Sequence, residues 1–303
     1  MEALNSGLMY RLVRTESGVT SINQLRAQLI GRVRLRLDGR GHYAVIAGGG
    51  TGGSFQGSWN DTGIGTGSPV QGMYVKQFYL SAAPTKSVEA QAGGLYIQRG
   101  EATEITSFDN DGYIVGARVA VKSKRAWRPA DAALSVGYLD ASLAPNVFRR
   151  FDGPLTGNYV QALATWRLKS VAATGDWTEL DGNGVARMAL SAKPSGGIVR
   201  SVRAEAYRRA DHSEAGFALS AERAVLKASV TAGYADIGKS CGRLNADRFP
   251  SGRRVFTVAT IPIRNGITLT AFGGRLVGEP QRALGPRTRF DVVLGYNMLT
   301  LVH

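Results

Sequence analysis

From Ile22 to Leu37 apolar and polar residues alternate for sixteen positions, a length that excludes most ordinary settings for a β-strand. Leu25, Ala27, Leu29, Gly31, Val33, Leu35 and Leu37 fall on one side; Gln24, Arg26, Gln28, Arg32, Arg34 and Arg36 fall on the other, with Ile30 the one apolar intruder. Period two sets these groups on opposite faces of a strand. Strands of globular proteins usually stop after about five or six residues. A strand that crosses a bilayer obliquely needs about 9 to 11, with one face to lipid and the other to water.

The unit recurs along the chain. Asp38-Gly39-Arg40-Gly41 is a turn signal, and a second run follows from His42 to Phe55, then a polar, glycine-rich loop from Gln56 to Gly72. Further runs are Tyr74 to Ala83, Val88 to Gln98, Tyr113 to Lys122, Ala132 to Leu139, Val160 to Leu168, Ala172 to Leu180 and Val185 to Ala192. Ile198 to Arg209, Phe217 to Glu222, Lys227 to Ala235, Arg254 to Ile263, Ile267 to Val277 and Arg289 to Leu301 complete the series, and Leu8 to Arg14 precedes it. Asn265-Gly266 and Asp181-Gly182-Asn183-Gly184 mark tight hairpins. In the first half short turns alternate with long polar loops, which a soluble sandwich has no reason to do. The spacing predicts one all-β domain over 1–303, an antiparallel up-and-down transmembrane barrel of about 16 strands, within about 12 to 18, with short turns at one rim and long loops at the other. The alternative is a soluble or surface β-sandwich, a lectin-like binding protein.

Composition narrows the partners. The net charge of +14 would suit a polyanion, but the basic residues are spread along strands and turns with no basic helix or lysine-rich tail, so no nucleic-acid partner is expected. No apolar window reaches the roughly 18 residues of a spanning helix, a test to which alternating barrel strands are blind. The single cysteine, Cys241, builds neither a disulfide framework nor a thiolate metal site.

Val75-Lys76-Gln77-Phe78-Tyr79-Leu80, the turn at Pro84, and Ala92-Gly93-Gly94-Leu95-Tyr96-Ile97-Gln98-Arg99-Gly100-Glu101 resemble a hairpin of bacterial outer-membrane porins, of the general, phosphate-selective or alginate-export type. In those families a basic residue, a Gln and a Tyr share one strand, and a glycine-rich strand ending near an Arg follows. The resemblance implies the outer membrane of a Gram-negative bacterium, with membrane lipid and small solutes as partners; oligomeric state, monomer or trimer, stays open. Such proteins are exported, and Met1 to Arg14 carries no secretory signal, so the reading expects one upstream. They commonly close on an aromatic residue, whereas this chain ends Leu299-Thr300-Leu301-Val302-His303, with Tyr296 and Met298 still alternating.

Other motifs fail in context. Gly48-Gly49-Gly50-Thr51-Gly52-Gly53 fits G-x-G-x-x-G but precedes no helix, and reads as a strand thinned by glycine near a rim or against close packing. Ser107 to Gly112 resembles the opening of a calcium loop, with Arg118 where a bidentate Glu belongs. Asp109 and Asp111, with Glu101 and Glu104 nearby, are weak candidates for a divalent cation at the outer face. His42, His212 and His303 are too scattered for a metal site or a triad, so neither cofactor nor catalysis is expected. Trp59, Trp127, Trp166 and Trp177 suit interfacial girdles or ordinary packing.

A barrel of this size leaves an aqueous channel, lined by the polar face of each strand. The expected pore-lining residues are Arg26, Arg32, Arg34, Arg36, Arg118, Lys122, Arg167 and Arg203, against the acids Glu89 and Glu205. Like charges in a pore set ion selectivity, so the expected activity is passive diffusion of small hydrophilic solutes with preference for anions, phosphate or acidic sugars included. The competing expectation is that these arginines pair with loop acids and stiffen the wall.

Overall fold

The computed structural model describes residues 1–14, 21–52, 73–103, 113–125, 128–139, 147–148, 157–210, 214–238, 251–278 and 288–301. Its strands are β1 (Ala3–Arg14), β2 (Ser21–Arg36), β3 (Tyr43–Gly52), β4 (Met73–Thr85), β5 (Val88–Tyr96), β6 (Tyr113–Lys122), β7 (Asp131–Leu139) and β8 (Tyr159–Leu168). The second half supplies β9 (Val171–Leu180), β10 (Asn183–Ala192), β11 (Val199–Arg209), β12 (Ala215–Val225), β13 (Ala228–Ile237), β14 (Gly252–Arg264), β15 (Ile267–Leu276) and β16 (Thr288–Asn297). Every strand pairs with its sequence neighbours, and β1 pairs with β16, so the 16 strands close into one antiparallel barrel. A single closed sheet replaces the two packed sheets of the sandwich alternative.

Each of the sixteen runs read from the sequence holds a strand of this barrel, although the last, expected to continue to Leu301, stops at Asn297, and Met298–Leu301 form a 3-10 helix instead. The connections 37–42, 86–87, 123–130, 169–170, 193–198, 226–227 and 265–266 lie on one rim, here the short-turn rim, with the free ends of β1 and β16. The strand ends joined through 15–20, 53–72, 97–112, 140–158, 181–182, 210–214, 238–251 and 277–287 meet at the opposite rim. The length asymmetry is not strict: 15–20 and 210–214 on the long-loop rim are shorter than 123–130 on the other, and 181–182 is a two-residue hairpin on the long-loop rim, where Asp181 at φ 52° and Gly182 at φ 78° match the twist of the flanking strands. In-strand prolines Pro84 and Pro262 both fall at breaks in register beside the short-turn rim, where the missing N–H costs no ladder bond.

Register fixes the faces. Leu8 opposes Ala27 and Leu294, while Arg11 opposes Gln24 and Asp291, and the same partition runs round the wall. Outward residues such as Leu35, Leu80, Leu134, Leu190 and Leu219 are large, apolar and exposed, whereas Arg118, Gln161, Asp176 and Arg187 face inward and are buried. This reverses the distribution of a water-soluble protein. Trp166 and Trp177 lie on the outward face toward opposite rims, both partly exposed, while Trp59 and Trp127 lie outside the described residues.

Polarity does not divide cleanly between the faces. Ile46, Tyr79, Leu95, Ile97, Ile114, Leu139 and Tyr159 form a buried apolar cluster on the inner side of β3–β8. Val185, Tyr207, Phe256 and Phe272 form a second inside β10–β15. The outward-facing Tyr113 and Val115 are buried instead of exposed, because Val147 covers them and its N–H donates to the Val75 carbonyl at 2.8 Å. Gly93, Gly116 and Gly137 oppose one another across β5–β7. A Cβ on Gly116 would stand 2.1 Å from the Val136 carbonyl oxygen, so the wall is drawn too tight there for a side chain. Gly48 shows the milder form of close packing, its Cβ position lying 3.0 Å from Gln77 Oε1.

Candidate functional site

Beyond Tyr96 the chain leaves the wall and turns into the barrel. The departure point is held by two arginines, Arg118 from the adjacent β6 and Arg32 from β2, three strands away. Arg118 donates from Nη2 to the Tyr96 carbonyl at 2.5 Å, from Nε to Ser135 Oγ at 2.8 Å and from Nη1 to Gln91 Oε1 at 3.3 Å. Its guanidinium lies 4.7 Å from the centre of the Tyr96 ring, and that of Arg32 lies 5.9 Å from the same ring.

Residues 97–103 then cross the inner face to reach β8 and β9. Gln161 Nε2 donates to the Gln98 carbonyl at 2.9 Å, and Thr174 Oγ1 donates to the Glu101 carbonyl at 2.9 Å. Arg167 grips the Glu101 carboxylate at 2.7 Å and reaches Asp131 at 2.7 Å on its other side. Gly100 permits the approach, because a Cβ there would lie 2.1 Å from Thr174 Cγ2. Behind the segment, Asp176 accepts from Gln161 Nε2 at 2.9 Å, Thr178 Oγ1 at 2.8 Å and Arg187 Nη2 at 2.9 Å. Asp176 and Arg187 have 0% and 2% of their side-chain surface exposed, so this pair is wall structure and offers no charge to a solute.

Between the inward segment and β10–β12 lies a cavity of about 630 Å³. Arg99, Lys193, Arg200 and Arg203 line it with Glu101 and Glu222, together with Ser191 and Ser201. Glu222 is held by Ser229 Oγ at 2.6 Å and Ser201 Oγ at 3.1 Å.

The residues expected to line a pore divide by environment. Arg203 borders the cavity. Arg32 and Arg34 face inward near the short-turn rim beside Glu2, at 3.1 and 3.9 Å, and Arg32 also donates to Tyr79 Oη at 2.7 Å. Arg36 and Lys122 are exposed on the inward register of the same rim, and Glu89 accepts from Ser81 at 2.6 Å and Gln91 at 3.0 Å. Arg167 is inside the barrel but committed to two acids. Arg118 and Glu205 face inward yet are only 2% and 4% exposed, so inward register alone does not bring a charge to the water. Arg26 holds the same register, opposite Met9, and its side chain lies outside the described residues.

Sequence reading missed Arg99, Lys193, Arg200 and Glu222. Arg99 and Lys193 sit in connections, where alternation assigns no face. Arg200 has the outward parity of β11, but register breaks between Val199 and Ser201, and this bulge re-aims it toward the cavity. The weak cation candidates Asp109 and Asp111 lie outside the described residues, as does Glu104. Glu101 is turned into the barrel against Arg167, not toward an outer-face site. Among the described residues no cluster of three or more His, Cys, Asp or Glu could hold a metal.

No family model matches the chain, and no curated protein matches it. Solved structures do. A multiple mutant of the porin of Rhodopseudomonas blastica superposes with a TM-score of 0.60 at 14% identity, covering 98% of this chain and 99% of that one. A triple mutant of the same porin gives 0.60 at 13% identity with the same coverage. A structure titled "Asymmetric conductivity of engineered proteins" gives 0.61 at 14%, again over 98% and 99%. The chain has the 16-strand porin fold from end to end.

Proposed function

We propose that the protein is a porin-like channel of the Gram-negative outer membrane, passing small hydrophilic solutes by diffusion and favouring anions. The observation that carries this reading is the pinned segment 97–103, which narrows a 16-strand lumen while leaving a cavity of about 630 Å³ lined by charged side chains. Membrane insertion is supported by closure, which leaves no sheet edge unpaired in lipid, and by the outward apolar surface. Anion preference is supported by the lining, where four cations, Arg99, Lys193, Arg200 and Arg203, face two carboxylates. Arg32, Arg34 and Arg36 add positive charge toward the short-turn rim, partly offset by Glu2. Guanidinium groups pair readily with carboxylate and phosphate oxygens.

Liposome swelling tests the channel itself. Vesicles containing the purified protein should swell in isotonic arabinose and more slowly in a trisaccharide. Vesicles that swell no faster than protein-free controls in either sugar would rule the channel out.

A further inference from the structure

The cavity beside the inward segment has a charge arrangement that simple selectivity does not require. Its carboxylates are held in place: Glu101 by Arg167 at 2.7 Å, and Glu222 by the Ser229 and Ser201 hydroxyls at 2.6 and 3.1 Å, with Arg203 and Arg200 close enough to act on it electrostatically. With both acids ionised, the four cations still leave the lining net positive. The cations also come from separate supports: Arg99 from the inward segment, Lys193 from the connection after β10, and Arg200 and Arg203 from β11. A monovalent ion can neutralise one of these centres at a time. A solute with two anionic groups can bridge them, and each guanidinium offers a paired donor edge to an oxyanion. The volume of about 630 Å³ falls within the range of about 300–1,000 Å³ typical of small-molecule sites.

Position adds direction. Arg200, Ser201 and Glu222 belong to the ends of β11 and β12 nearest the short-turn rim, and Lys193 to the connection at that rim, so the cavity lies on that side of the inward segment. Building on the channel reading above, we infer that this cavity is a dwell site for small solutes bearing two or more negative charges, such as diphosphates or dicarboxylates, loaded from the short-turn side. The bulge that re-aims Arg200 is then a specificity feature of the wall, since an unbroken β11 would point that arginine at lipid.

The test is block of chloride current through the full-length protein in a planar bilayer, with inorganic pyrophosphate as probe and acetate as the monovalent control. Pyrophosphate should halve the current at a concentration at least tenfold below acetate, and severalfold lower from one side of the membrane than from the other. Raising the salt should weaken that block. In the Arg200→Ala/Arg203→Ala variant the half-blocking concentration should rise at least tenfold, while Arg203→Lys should keep part of the effect. Equal block by acetate and pyrophosphate, or unchanged block in the double variant, would overturn the dwell site and leave the channel reading standing. Absence of any chloride current would overturn the channel reading and the dwell site with it. Because wild-type protein supplies the acetate comparison, the inference stays falsifiable if the double variant fails to fold.

Discussion

Arg11 of the first strand and Asp291 of the last meet side by side inside the barrel, Nε to Oδ1 at 2.7 Å and Nη2 to Oδ2 at 3.0 Å, at the seam where the sheet closes. Arg289 shares the same carboxylate, at 2.9 Å from Nε and 2.5 Å from Nη2, and stacks 5.4 Å from the Phe272 ring. All three charged side chains are at most 6% exposed. A buried pair is weak evidence of net stability, but removing one partner strands the others.

Asp291→Asn should therefore cost about 3–5 kcal/mol by leaving two buried guanidiniums without a carboxylate. Urea unfolding in detergent micelles reads this directly. The combined change Arg11→Met, Asp291→Leu, Arg289→Met should recover most of the loss, and a wild-type midpoint for Asp291→Asn would refute the clamp.

Arg118 and Arg203 both face inward, yet their removal should give different signatures. Arg118 is buried against Tyr96, Ser135 and Gln91, so Arg118→Ala should loosen segment 97–103 and raise open-channel noise without moving the reversal potential. Arg203 borders the cavity, and Arg203→Ala should move the reversal potential toward zero. Single-channel recordings in which Arg118→Ala shifts selectivity as much as Arg203→Ala would contradict the distinction.

The glycine row should be intolerant where a glycine elsewhere in the wall is not. Gly116→Ala and Gly137→Ala place a Cβ 2.1 and 2.4 Å from backbone carbonyl oxygens and should lose roughly 1–3 kcal/mol each by overpacking. Gly175→Ala meets nothing within 4 Å and should fold as wild type. The yield of heat-modifiable barrel after refolding checks all three side by side.

Asp38 lies in the 37–42 turn and accepts the Tyr43 N–H at 2.9 Å, and that bond holds its carboxyl below the ordinary aspartate value of 3.8. A depressed folded-state pKa means the ionised form stabilises the turn. The contribution is complete above pH 3.8 and is lost as the pH falls through the lowered value. Asp38→Asn should flatten that part of the unfolding profile without affecting it near neutrality, and an unchanged acid limb would show that the turn does not depend on this charge.

Much of the architecture is legible in the chain because a barrel wall obeys one rule at every strand. The alternation of Leu35 against Arg34 and Arg36 sets both face and register, and turn residues such as Asn265-Gly266, at φ 48° and 79°, set the hairpins. Parity gives a face but not a depth. Arg118 and Arg34 read alike in sequence, although one is buried against Tyr96 and the other lies beside Glu2. Nor does alternation foresee contacts between residues far apart in sequence, such as Arg11 with Asp291 across 280 positions at the closing seam, or Glu101 of the inward segment with Arg167. Arg200 defeats it for a third reason, since one extra residue in a bulge exchanges inside for outside. Ile46, Leu95 and Phe272 face inward because part of the lumen is a packed core, which period two alone does not distinguish from a lipid-facing surface.

The central claim is a water-filled pathway with a positive lining, and reversal potential across a planar bilayer under a potassium chloride gradient tests it most directly. The account predicts a potential displaced toward the chloride equilibrium value, reduced in Arg200→Ala/Arg203→Ala. A potential on the potassium side, unaltered by those substitutions, would contradict the anion preference, and a membrane that stays non-conducting would contradict the channel itself.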